Sequence, residues 1–93
     1  MHARLSTYEG SADELTQGFQ SVSGDLDAVD GFKAAYFGVG DGKGFSLTLW
    51  ESEEALQASV ERANQLREAA TQPSGADIKS VEHFEVTVTA GAA

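Results

Sequence analysis

The chain has 93 residues, fifteen acidic and six basic, for a formal charge of −9, and such a polyanion repels a phosphate backbone instead of releasing its counterions, which argues against nucleic acid as a partner. The absence of cysteine excludes a disulfide framework, a thiolate metal site and a cysteine nucleophile. The opening MHARLSTYEG lacks the apolar h-region of a signal peptide, and no apolar run approaches the roughly 20 residues of a membrane span, so the expectation is one soluble, cytoplasmic domain, short enough that self-association would help stabilise it.

Residues 3–8 alternate Ala3, Leu5 and Thr7 against Arg4, Ser6 and Tyr8, the period-2 pattern of a strand with unlike faces. Ser11 stands three residues before Glu14, a capping box that starts a helix at Ala12. Its stripe, Leu15, Phe19, Val22, Leu26 and Val29, is spaced four, three, four, three, so all five share one face. Gly18 and Gly24 weaken this helix by roughly 1 kcal/mol each, so packing has to hold it together.

The run GFKAAYFGVGDGKGFSLTLW predicts strands at about 32–39 and 45–50 joined at Asp41-Gly42, a β-hairpin. Its G-V-G-D-G-K-G glycines open a strand, whereas a phosphate cradle needs them to open a helix. Ser52 then caps a second helix with Glu53 and Glu54 in its first turn, where the helix dipole favours anions. The stripe of that helix is Leu56, Val60, Ala63, Leu66 and Ala70, and Pro73 stops it. The segment IKSVEHFEVTVT, 78–89, predicts the last strand and AGAA, 90–93, a frayed tail.

The phrase TYEGSADEL at 7–15 is echoed by LWESEEAL at 49–56, one strand-to-helix junction written twice. The order βαββαβ predicts an α+β, ferredoxin-like fold over residues 1–93: a four-stranded antiparallel sheet with two helices on one face. Strand three carries Phe45, Leu47 and Leu49 on one side and Ser46, Thr48 and Trp50 on the other. Both sides cannot be left to water, which predicts a second sheet against the open face, most simply from an identical subunit.

These segments resemble the antibiotic biosynthesis monooxygenase family of dimeric α/β barrels. The resemblance covers nearly the whole chain and is most specific at W-E-S-x-E-A-x-x-A, matched by Trp50, Glu51, Ser52, Glu54, Ala55 and Ala58. It implies a homodimer with one pocket per subunit between sheet and helices and, in the family's characterised enzymes, oxygenation of an electron-rich aromatic without metal or flavin. A haem-degrading branch uses a histidine on the second helix, an asparagine on the first strand and the tryptophan corresponding to Trp50. Here the asparagine position falls on Ser6 and the second helix has no histidine, so the resemblance does not carry haem degradation over. The asparagine that precedes the tryptophan in quinone-forming members is also missing, with Ser46 and Thr48 in its place.

By strand parity Trp50, Ser46, Thr48, Ser6 and Tyr8 line one cavity as candidate substrate-binding residues, although Trp50 as a large core residue with its indole N–H satisfied explains the same pattern. His83, on the parity of Val81 and Glu85, is the best candidate general base for a phenol; a surface or interface histidine is the plainer alternative. No carboxylate stands at ligand spacing from either histidine on a helix, so no metal site is expected, and the resemblance implies no cofactor. Three functions remain open: a cofactor-independent monooxygenase, a module that binds or senses a small aromatic ligand, and a structural dimer whose cavities are filled by side chains.

Overall fold

The computed structural model describes residues 1–91. Its elements are β1 (His2–Glu9), α1 (Ala12–Leu26), β2 (Phe32–Gly40), β3 (Lys43–Trp50), α2 (Glu53–Ala58), α3 (Val60–Thr71) and β4 (Asp77–Glu85). The strands form one antiparallel sheet in the order β2-β3-β1-β4, the ferredoxin-like arrangement that the sequence predicts. No helix among the described residues is long and apolar enough to cross a membrane.

Both predicted serine caps form. Ser11 Oγ accepts from the Glu14 amide at 3.5 Å and Ser52 Oγ from the Ala55 amide at 3.1 Å, each satisfying an N–H that the first helical turn leaves free. The hairpin closes over Asp41-Gly42, with Gly40 paired to Lys43, and Gly42 takes a φ of 71°, where a side chain would be strained.

Three predicted features differ in detail. α1 ends at Leu26, leaving Val29 half-buried in the following turn. The second helix is broken at Ser59 into α2 and α3: the Leu56 carbonyl accepts from the Ser59 hydroxyl at 2.7 Å and from Arg4 Nη2 at 3.0 Å, and such back-bonding by serine bends a helix. β4 stops at Glu85 instead of continuing to residue 89, because its one neighbour β1 begins at His2, the partner of Glu85. Of the tail expected at 90–93, residues 92 and 93 lie outside the described residues.

The helices cover one face of the sheet. Leu15, Phe19, Val22 and Leu26 of α1 pack with Tyr8 and with Leu66 and Ala70 of α3 in the core; the Phe19 ring lies 5.3 Å from Tyr8 and 5.0 Å from Phe37, within the range of favourable aromatic pairs. On the opposite face, the register sets Tyr36 beside Leu47, Leu49 beside Ala3 and Ala3 beside Phe84. Tyr36, Phe45 and Phe84 are exposed there by 54%, 39% and 46%, a contiguous apolar surface on the side without helices.

Candidate functional site

The floor of the site follows from the pairing. Directly paired residues point to the same face of a sheet, so Thr48, Arg4 and His83 make one rung across β3, β1 and β4, and Ser46, Ser6 and Val81 make the next. Arg4, Ser6, Tyr8, Ser46 and Thr48 are all buried beneath the helices. A cavity of about 40 Å³ lies between this floor and a wall that includes Phe19, Leu66 and Arg67. It has room for only a few water molecules, at about 10–15 Å³ each.

Four of the residues predicted to bind substrate, Ser6, Tyr8, Ser46 and Thr48, line this cavity. The Tyr8 and Ser46 hydroxyls are 2.8 Å apart. Trp50 stands behind the lining: it is fully buried, its indole N–H donates to Thr48 Oγ1 at 2.9 Å, and its ring meets Phe32 edge-on at 5.7 Å. It reaches the cavity through neighbours, since Thr48 and Arg4 both line it and the Arg4 guanidinium carbon lies 5.5 Å from the indole centroid, a cation–π distance.

His83 is exposed on the edge strand and lies outside the cavity lining, joined to it by one contact: Arg4 Nε donates to His83 Nε2 at 3.2 Å. An acceptor at Nε2 fixes the neutral tautomer with the proton on Nδ1. Desolvation against the sheet, then the nearby Arg4 and Arg67 charges, push its pKa below the usual 6.5, so the ring is neutral at pH 7. His2 sits apart, 3.9 Å from Glu53.

Two charged residues of the cavity were not singled out as site residues from the sequence. Arg4 shares the parity of Ser6 and Tyr8, which made its place on the floor readable. Arg67 follows Ala63 by four residues and precedes Ala70 by three, so helical spacing puts it inside the apolar stripe. Its Nε donates to Ser6 Oγ at 3.2 Å and its Nη1 to Asn64 Oδ1 at 2.7 Å. Among the described residues, no group of three or more His, Cys, Asp or Glu side chains is arranged to hold a metal ion.

No protein-family model matches the chain, and no curated protein sequence does. Solved structures match over nearly its full length. The monooxygenase ActVA-Orf6 of Streptomyces coelicolor, in complex with nanaomycin D, is 16% identical with a TM-score of 0.74, covering 99% of this chain and 92% of its own. SnoaB, a cofactor-independent oxygenase of Streptomyces nogalater, is 16% identical with a TM-score of 0.69, covering 95% and 94%. MhuD of Mycobacterium tuberculosis, a haem degrader with two haems bound in its active site, is 24% identical with a TM-score of 0.64, covering 98% and 100%. With its βαββαβ order, its strand order and a cavity between sheet and helices, the chain has the fold of the antibiotic biosynthesis monooxygenase family of dimeric α/β barrels.

Proposed function

We propose that the chain is a homodimeric small-molecule protein that takes a planar, electron-rich aromatic into the cavity between sheet and helices and oxygenates it without a cofactor. The observation that carries this reading is the lining itself: hydroxyls of Ser6, Tyr8, Ser46 and Thr48 and the Phe37 ring on the sheet side, with Phe19, Val22 and Leu66 from the helices facing them, an apolar slot with a few convergent polar groups. The exposed apolar sheet face supports the dimer, because a second copy of that sheet is its simplest cover.

In the proposed reaction an anthrone-type substrate loses a proton, its anion reduces dioxygen, one oxygen atom becomes a ring carbonyl and the other leaves as water. All four electrons come from the substrate carbon, so no external reductant enters. His83 is the proposed proton acceptor, neutral at pH 7; its Nε2 has to exchange the Arg4 N–H for the substrate hydroxyl or acidic C–H before it can act. Histidine-ligated haem does not fit these residues. The helical segment from Glu53 to Thr71 contains no histidine, and the Nε2 of His83 is taken by Arg4.

Oxygen uptake across a panel of polyphenols and anthrones tests the proposal, with His83→Ala as the comparison. Protein-dependent uptake that yields one quinone per dioxygen and falls at least tenfold in the variant is expected. The small volume of the cavity and the satisfied Trp50 indole favour, as a second reading, a structural dimer whose cavity is filled by its own side chains; no uptake across the panel leaves the binding module, and no ligand binding either selects the filled cavity.

A further inference from the structure

We infer that the ligand of this cavity is an acid: Arg4 and Arg67 form a two-guanidinium site that takes the carboxylate of a planar aromatic ligand. This deepens the proposed function, resting on the same cavity. Both arginines line it and are more than nine-tenths buried, at 3% and 9% exposure. Each is held by neutral acceptors alone. Arg4 donates to His83, Leu56 and Ser59, and Arg67 to Ser6 and Asn64.

Neither has a counter-ion. Among the described residues the ion pairs within 4 Å are His2 with Glu53 and Lys79 with Glu9, so fifteen acidic side chains in this chain leave the two buried arginines unpaired. A buried charge is costly unless paired, and two buried like charges facing one cavity compound that cost. Burial, followed by the Arg67 charge, pushes the Arg4 pKa down to about 10, which still leaves the group cationic at pH 7.

Spare donors point to the missing partner. Arg4 Nη1 and Arg67 Nη2 have no hydrogen-bond partner among the described residues and are not sealed from solvent, and such an accessible guanidinium N–H₂ group is suited to a carboxylate oxygen. The remaining lining, Phe19, Phe37, Val22 and Leu66, suits the ring to which that carboxylate is attached, and the cavity of about 40 Å³ has to widen by movement of these side chains to admit it. Surface charge does not cancel the attraction, because exposed carboxylates beyond about 8 Å are largely screened at physiological salt while buried charges are screened much less.

The test uses the full chain and three probes, 2-naphthoate, the isosteric 2-naphthamide and benzoate, followed by Trp50 fluorescence and by ligand-induced shifts of the thermal midpoint. Naphthoate is expected to bind about tenfold to a hundredfold tighter than the amide, the range of a charge-assisted hydrogen bond, and Arg67→Gln should abolish that preference. Equal binding of acid and amide overturns the anion site and leaves the aromatic cavity standing. Stabilisation by benzoate, lost in Arg67→Gln, without binding of either naphthyl compound sustains the anion site for a single-ring acid and removes the fused-ring, anthrone-sized ligand of the proposed function. No binding by any probe to the wild-type chain overturns both, and because this comparison uses the wild-type chain it holds even if Arg67→Gln fails to fold.

Discussion

Gly18 and Gly24 lie on the same helix and invite the same substitution, but the structure assigns them opposite outcomes. A Cβ built on Gly24 meets nothing within 4 Å, whereas one on Gly18 would stand 2.0 Å from the Ala70 carbonyl oxygen and 2.9 Å from its carbon. Gly24→Ala should therefore stabilise by about 0.5–1 kcal/mol, through the entropy that glycine loses in a helix. Gly18→Ala gains the same term but forces α3 away from α1 by more than an ångström, against a backbone atom that cannot rotate aside, and overpacking of that kind costs about 1–3 kcal/mol. The two variants should differ by that amount, or by roughly 4–8 °C per kcal/mol for a chain of this size. Urea and thermal unfolding at one fixed protein concentration, since a dimer's stability depends on concentration, measure the difference. Equal stability of the two variants would refute the close approach of α1 to α3, and with it the position of the cavity roof, because Ala70 and Arg67 both belong to that roof.

Trp50→Ala should cost about 3–5 kcal/mol, as deletion of a buried aromatic does, and Trp50→Phe about 1 kcal/mol through the lost bond to Thr48; urea midpoints check both, and a Phe variant as damaged as the Ala one would contradict the packing described. A ligand in the cavity should quench the single tryptophan saturably through its Arg4 and Thr48 neighbours, and unchanged emission on saturation would separate Trp50 from the site. The imidazole proton shifts of His83 should titrate below pH 6.5 and move up toward it in Arg67→Gln; a wild-type value above 6.5 would contradict the Arg4 contact. Since that folded pKa is depressed, the linked stability is full above 6.5 and is lost as pH falls from there through the folded value. Sedimentation at micromolar concentration should give roughly twice the 9.8 kDa chain mass in low and high salt alike, because an apolar interface is insensitive to screening. Phe45→Glu should dissociate it, and a monomeric wild type would remove the argument from the open sheet face.

The fold was legible because its signals are local. Alternation in 3–8, serine caps at Ser11 and Ser52 and the Asp41-Gly42 turn each act within a few residues, and the register that follows from them places Ser6 beside Ser46 and Arg4 beside Thr48. Parity along β1 and β3 therefore carried most of the cavity floor. The break at Ser59 was not legible, since part of its cause is a guanidinium from β1, 55 residues earlier, that reaches the Ser59 hydroxyl and the Leu56 carbonyl. The wall escaped for a related reason. In VERANQLREAAT, 60–71, Arg62 and Arg67 read alike as solvated charges, and only the four-three spacing of Arg67 from Ala63 and Ala70 separates the buried one from the exposed one.

Arg4 and Arg67 differ in what their removal can reveal. Arg4 is a joint of the fold as well as of the site: it holds the carbonyl at the helix break, lies over Trp50 and fixes the tautomer of His83. Replacing it disturbs the break, the Trp50 packing and the candidate base together, so a loss of binding there has several sufficient causes. Arg67 makes one contact to the sheet, at Ser6, and one within its own helix, at Asn64, and a glutamine can still donate to the serine. A chain selected for stability alone would gain by making this residue apolar, as replacement of buried ions by packed hydrophobic side chains is often neutral or stabilising. A protein left more stable by Arg67→Met yet stripped of its preference for acids would show that the charge is kept for the ligand; a marked loss of stability would assign Arg67 to the architecture of α3 instead.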